Sequence, residues 1–549
     1  MEGFKGSTLV RPRSAEAGRS WGFGSSLRAI WGALRAWISS RVVVVLALAL
    51  LAAVGAALRV SPIGTNRFHQ DEALYSFWAL QIATGRDPIL NHCRVDKPPL
   101  FIYTLAACFK LFGSSEVVAR IPSEMSSLAS IGLAYYLASQ LYGQAVGVLT
   151  AVLMALSPFN ILFAPTAFTD PIMVAWILAA LCLAARGRLV WSGLALGLAA
   201  ATKQQGLLFA PLALVIGICC HKALSPSPHL LVSVRRGLRA GLIFALGFLA
   251  VMAPVAWWDS LRWRLQPSYL EQSFVSYGGL TLVPPAQLVE RLGDWLDVLH
   301  YITASPVLNI LLVGGLPCLL AYDLRRWRGE PATFFDIVLS AFVAFFLLSH
   351  WLLSFNIWDR YLLGVVPLLL ILLARILWLA SRALTGILPF PSGRDKGRVD
   401  SGDAIRRGLL VVFLLVATLA GPALTAARSG YPIGGDHGAY DGIEAVADYF
   451  RDHVPAGSFL YHHWLGWHYS FYMFDFPLVF RWYPSPKELA EDASQVEGAE
   501  RYIVFPSDKS TADVREALAE AGLVLYPVHW TYNRDGAISF TIYRIEEQK

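Results

Sequence analysis

Apolar runs close to the length of a bilayer crossing recur along this chain from Val42 to Ala427, separated by short polar loops. They lie near 42–58, 98–112, 117–140, 144–165, 167–185, 189–202, 205–221, 238–258, 304–321, 333–353, 358–381 and 407–427. About 20 apolar residues cross the hydrocarbon core of a bilayer as a helix. A water-soluble core has no room for a dozen such helices, so the pattern admits one broad class. Composition agrees: 15% of residues are charged, against about 25% in soluble domains. The reading is an all-α polytopic membrane protein of about 11–13 transmembrane helices over residues 41–428.

Basic residues set orientation, because Lys and Arg near the spans favour the cytoplasmic side. Residues 1–40 form a polar cytoplasmic segment rich in Lys and Arg. Arg186 and Arg188, then Lys222 to Arg239, Arg325 to Arg328 and Arg382 to Arg407 also belong inside. The loop 61–97 and everything after 428 then fall outside, provided the run 98–112 does not cross. The tail 429–549 reads as a small extracytoplasmic α/β domain. DGIEAVADYFRDHV gives an amphipathic helix with Ile443, Val446, Ala447 and Phe450 on one face, and ADVREALAEAG a second helix ending at Gly522. FLYHH, RYIVFP, LVLYPV and ISFTIYRI give strands. Nothing in the chain resembles a basic nucleic-acid footprint. Its six cysteines have neither disulfide-framework nor zinc-site spacing.

Seven charged residues then fall on the outer side: Asp71, Asp96, Lys97, Arg120, Asp170, Lys203 and Arg360. Each has an ordinary explanation by itself. Asp71 and Asp170 stand where helix N-caps would be, and Lys97 before Pro98-Pro99 suits an interfacial anchor. Their convergence on one face is not explained in that way. Acids and bases together suit a reaction that removes a proton while a phosphate departs.

In order, these residues sit in Asp71-Glu72, Asp96-Lys97-Pro98-Pro99-Leu100, Ala119-Arg120-Ile121-Pro122-Ser123, Thr169-Asp170-Pro171, Thr202-Lys203 and Arg360-Tyr361. The ordered set resembles the GT-C fold glycosyltransferases, in the branch of the protein O-mannosyltransferases and the lipid A aminoarabinose transferases. The resemblance covers residues 60 to 380. It implies a polyprenyl-phosphate sugar donor, inversion at the sugar, a site in the first outer loop and a home in the plasma membrane. It makes Asp71 the general base, with Glu72 beside it and Asp170 at the same face. Lys97, Arg120, Lys203 and Arg360 become the donor-phosphate side, with Arg120 also bracing the acidic pair. Asp96 stands where the aminoarabinose branch usually has Glu. Desolvation at the membrane surface is expected to raise the pKa of Asp71. No cofactor and no metal are expected. The partners implied are the lipid-linked donor, a lipid, glycan or protein acceptor, and membrane lipids, with no nucleic acid.

Two other classes fit part of the pattern. A secondary transporter uses intramembrane ionisable groups such as Asp170 and Lys203, and a membrane scaffold would only display the tail. His462, His463 and His468 offer a further metal-ligand candidate that more often forms a polar aromatic surface. The loop 259–303, with Tyr277-Gly278-Gly279, is long enough for a lid and equally suits an inert connection.

Overall fold

The computed structural model describes residues 45–60, 64–220, 230–277, 281–325, 331–387 and 401–548. The basic lead 1–41, Lys222, Arg326, Arg328, Gly278 and Gly279 lie outside the described residues, as does most of the polar linker expected near 391–403. Two compact units are distinguished, Met1–Leu50 and Leu51–Lys549. In the first, only the opening turns of the apolar helix α1 (Val45–Val60) are described.

Among the described residues, five helices are long and apolar enough to cross a membrane: Gly237–Arg262, Pro306–Arg325, Pro331–Leu352, Val366–Ala383 and Arg407–Ala427. Six more apolar helices are shorter, at 10–17 residues. Length therefore separates the expected spans into two kinds. The run 144–165 breaks at Ser157-Pro158 into α5 (Gln144–Leu156) and α6 (Pro158–Phe163). Proline removes a helix donor and pushes the residue before it out of the α region, and Ser157 is extended at φ −63°, ψ 121°. The helix α3 (Pro99–Phe112) has 14 residues. At 1.5 Å per residue it is about 21 Å long, short of the ~30 Å hydrocarbon core.

One of the short helices is deeply buried. In α7 (Asp170–Ala185), eleven of 16 residues are buried. Small residues let the neighbouring helices α8 (Leu189–Thr202) and α10 (Leu230–Arg262) touch backbone to backbone. A Cβ at Gly193 would overlap the Phe244 carbonyl, and one at Gly247 the Val190 carbonyl. Gly193 and Gly197 form a GxxxG pair, the spacing that permits such approach between helices in lipid.

The loop that follows α2 is short in sequence and heavily anchored. After α2 (Gln70–Ala83), Asp87 accepts the amides of Asn91 and His92 at 2.8 and 2.7 Å. Arg262, at the end of α10, is fully buried and donates to the carbonyls of Leu90 and Cys93.

The C-terminal part carries a five-stranded sheet in the order β2-β1-β3-β5-β4, with β1 (Phe459–His462), β2 (Val479–Trp482), β3 (Arg501–Pro506), β4 (Leu523–Tyr532) and β5 (Ile538–Glu547). β1, β2 and β3 pair parallel, and β5 runs antiparallel to both β3 and β4. Ile443, Val446, Ala447 and Phe450 pack one side of the sheet. The short strand Val479–Trp482 and the helices Gly466–Tyr472 and Pro486–Ser494 escape a reading by pattern. Each is under ten residues, too few to establish a period.

The helix Gly466–Tyr472 docks this part onto α2 and Phe68 just before it. The rings of Phe471 and Phe68 meet edge to face at 4.9 Å. His468 is fully buried and donates through Nε2 to the Phe68 carbonyl at 2.9 Å. Burial pushes the His468 imidazolium down to about 4, so the ring is neutral there at ordinary pH. His463 faces the Tyr483 carbonyl, and His462 packs beneath Gly466. The three histidines thus take separate structural partners instead of converging on a metal.

Candidate active site

The helix α2 starts two residues before the position expected. His69 is its N-cap, accepting the Asp71 amide on Nδ1, and Glu72 returns a bond to the His69 amide at 2.9 Å. This capping box frees the Asp71 side chain from capping, so the N-cap explanation for Asp71 fails. Asp71 instead forms an ion pair with Arg360. Asp170 is likewise not a cap: Thr169 takes that position, and Asp170 pairs with Lys203 at 2.6 Å.

Glu72 and Arg120 form a second layer behind Asp71. The Glu72 carboxylate is fully buried and accepts from Arg120 Nε and Nη2, the His69 amide and the Ala167 amide. Arg120 also donates to the carbonyls of Asn66 and Arg67 at 2.7 and 2.8 Å. A carboxylate holding four N–H donors has no capacity left for a substrate proton. A guanidinium enclosed in this way has no open face for a phosphate. Arg120 thus braces the acidic pair, as the resemblance implied. The pair clamps the start of α2 to the helix Glu116–Tyr142, and so aims Asp71.

The third ion pair lies in the loop after α2. Lys97 Nζ donates to Asp96 Oδ2 at 2.6 Å, and Tyr277 joins both groups through its hydroxyl. Tyr277 closes the helix Tyr269–Tyr277, so the loop 259–303 reaches the site and is not an inert connection. The signal was the tyrosine just before Gly278-Gly279, but sequence alone gave its side chain no destination. The other Asp96 oxygen and Gln204 Oε1 are buried without a hydrogen-bond partner. Such atoms are uncommon in native proteins, and each calls for an explanation.

Electrostatic influence links the three pairs. Burial pushes the Asp71 carboxyl up, but Arg360, His69 and Lys97 outweigh it, and the net shift is downward. This reverses the expected rise: the desolvation is present, and the cation beside the carboxylate dominates. Lys97 is lowered, chiefly by burial and against the pull of Asp96 and Asp71. The Arg360 guanidinium is held above its ordinary value despite burial, because Asp71, Tyr75 and Asp170 face it. Its plane also lies over Trp358 and Phe168, with ring centroids 4.4 and 5.1 Å away.

Asp71 and Arg360 open into a cavity of about 400 Å³. A second, of about 560 Å³, lies further along α2, where Asp96 lines it beside Trp78 and Trp467. Three ion pairs, Asp71–Arg360, Asp96–Lys97 and Asp170–Lys203, thus make up the candidate site, with Asp71 and Arg360 lining one cavity and Asp96 the other.

A family model of dolichyl-phosphate-mannose-protein mannosyltransferases matches residues 96–258. No curated protein sequence matches the chain. Among solved structures, ArnT from Cupriavidus metallidurans in the apo state superposes with a TM-score of 0.62 at 16% identity, covering 92% of this chain and 98% of that one. The same protein bound to undecaprenyl phosphate gives 0.55 at 16% identity over 91% and 97%. The apo oligosaccharyltransferase of Archaeoglobus fulgidus gives 0.53 at 14% identity over 90% and 74%. The chain has the GT-C fold.

Two buried acids near these residues were absent from the sequence reading, as was Tyr277. Asp359 accepts the Arg360 amide at 2.7 Å and the Gly434 amide at 2.8 Å. Asp436 is buried with one oxygen unpartnered. Both lie next to conspicuous residues, Arg360 and the Gly434-Gly435 pair, which were the available signals.

Proposed function

We propose that this protein transfers a sugar from a polyprenyl-phosphate donor to an acceptor hydroxyl or phosphate at the outer membrane face, with inversion. One observation carries the reading: a carboxylate, Asp71, paired with a buried cation, Arg360, amid further buried lysines and beside a cavity. The ArnT structure holding undecaprenyl phosphate and the dolichyl-phosphate-mannose family model support a lipid-phosphate donor.

The chemistry follows from charge. The acceptor oxygen attacks the anomeric carbon, and the bond from that carbon to the phosphate oxygen breaks. The electron pair leaves with the polyprenyl phosphate, and the acceptor proton passes to Asp71. The departing phosphate gains negative charge, and pre-placed cations stabilise it most where water is excluded. Lys97, Lys203 and Arg360 fill that role. Without substrate each is paired with a carboxylate, which offsets the cost of burying a lone charge. A donor phosphate arriving at Arg360 draws it from Asp71, and the Asp71 pKa then rises toward that of a useful base.

The test uses purified protein in detergent with radiolabelled polyprenyl-phosphate sugars, wild type beside Asp71→Asn. Wild type is expected to release polyprenyl phosphate and labelled product, and Asp71→Asn to lose transfer while remaining folded. Normal turnover by Asp71→Asn would remove Asp71 as the base. Labelled sugar crossing vesicles without covalent transfer would replace the reading with transport.

A further inference from the structure

The cavity beside Asp71 is closed on one side by a segment that belongs to neither the apolar helices nor the sheet. Gly434, Gly435 and His437, from the connection between α16 (Ser401–Ala427) and α17 (Ile443–His453), line it opposite Phe168 and Trp358. The segment is fixed in place. The Gly434 amide is tied to Asp359, whose other oxygen holds the amide of Arg360. Gly434 lies at φ +101°, and a Cβ there would approach the Leu162 carbonyl oxygen to 2.9 Å. Only glycine lets the chain come this close. Gly435 is different: a Cβ there would meet nothing nearer than Thr166 Cγ2 at 4.0 Å. His437 is exposed and has φ +52°, a left-handed conformation uncommon outside glycine. Such conformations cluster where structure around a ligand over-determines them.

The lining suits one kind of ligand. Phe168 and Trp358 present aromatic rings, Gly434-Gly435 bare peptide, and His437 and Gln70 polar side chains. A polyprenyl tail needs continuous apolar surface, and a bare phosphate needs cations alone. A sugar ring presents an apolar C–H face and several hydroxyls. The volume falls in the range of about 300–1,000 Å³ typical of small-molecule pockets. We propose that Gly434, Gly435 and His437 form the wall that selects the donor's sugar, and that Asp359 is the positioning residue holding this wall against Arg360. The inference rests on the glycosyltransferase reading above.

The experiment compares full-length wild type, Gly435→Leu, His437→Ala and Asp359→Asn on polyprenyl-phosphate donors that differ only in the sugar. Binding of sugar-free undecaprenyl phosphate is measured in parallel. Gly435→Leu adds bulk into open space, and it is expected to lower kcat/KM for the best donor at least tenfold and to reorder the donors. His437→Ala is expected to raise the donor KM several-fold. Both should bind sugar-free undecaprenyl phosphate within twofold of wild type. Asp359→Asn is expected to lower kcat about tenfold, with donor KM and melting temperature little changed. An unchanged donor order with kcat/KM within twofold of wild type would overturn the wall. Equal loss of undecaprenyl phosphate binding would also overturn it, by assigning the segment to the carrier. A fall in kcat that tracks loss of folded protein would overturn the role of Asp359. In a cysteine-free background, labelling of Gly435→Cys should be slowed by the sugar-bearing donor and not by undecaprenyl phosphate. If wild type consumes no donor, the glycosyltransferase reading fails first, and that failure is separate from a wild type that turns over beside unaffected wall variants.

Discussion

Arg360 both suppresses Asp71 and prepares the phosphate site, so its removal should have two separable effects. The groups acting on the Asp71 carboxyl are Arg360, His69 and Lys97, all lowering its pKa against burial. In Arg360→Gln the acid limb of the kcat/KM profile should move to higher pH by about 1 unit or more, the usual size of one close cation's effect. The maximum rate should also fall by about 10²-fold or more, as for loss of one transition-state donor. A pH–rate profile on the productive donor measures both. Asp436 gives a prediction of opposite sense. Burial and the nearby Glu72 push its carboxyl from 3.8 up to about 7. A group raised in the folded state contributes stability that is fully present below its unfolded pKa and lost as pH rises through the folded one. Wild type should therefore lose stability between about pH 4 and pH 7, on the order of 1–3 kcal/mol from this residue. Asp436→Asn should melt higher than wild type at pH 8, and by a smaller margin at pH 5. Thermal unfolding in detergent at the two pH values checks it.

Among elements, the α8–α10 contact depends on glycine more than on any large side chain. Gly193→Val or Gly247→Val would drive a side chain into a backbone carbonyl of the facing helix. Overpacking a tight core contact costs about 1–3 kcal/mol and often more. Both variants should lower the yield of monodisperse protein and the melting temperature, read by size-exclusion chromatography and thermal shift. A serine at Gly293, where nothing lies within 4 Å of a built Cβ, should do neither. The periodic elements were legible from sequence, including the buried face Ile443, Val446, Ala447 and Phe450. The break at Ser157-Pro158 had Pro158 as its signal, but Pro122, Pro254, Pro317 and Pro422 stand inside unbroken helices, so a proline in an apolar run does not by itself mark a break. Tyr277 was missed for a related reason: a tyrosine at the end of a short helix has no period to reveal its partner.

For the whole molecule, the C-terminal domain and the segments flanking α2 pack as one structure. Arg67 pairs with Glu116 at 2.9 Å and also with Glu444, while Arg86 pairs with Asp475 at 2.7 Å. Salt bridges as exposed as Arg86–Asp475 contribute little. The apolar contacts of Phe68, Phe77 and Trp467 are the larger share of this docking. Truncation after Ala427 should expose Phe68 and abolish turnover, and should make Arg67 a new trypsin site, detectable by mass spectrometry.

Hydrophobic length, period and residue order are local properties, and they were enough to read the membrane class, the α/β tail and the set of charged residues from Asp71 to Arg360. Tertiary structure decided what each charge does. It turned Glu72 and Arg120 into a clamp, set Arg360 against Asp71, brought Tyr277 to Asp96 and Lys97, and laid Gly434 to His437 over the cavity. These outcomes depend on which groups share a buried volume. There, the energy of a charge is set by its distance to the opposite charge and by the water it has lost, and neither is encoded in spacing along the chain.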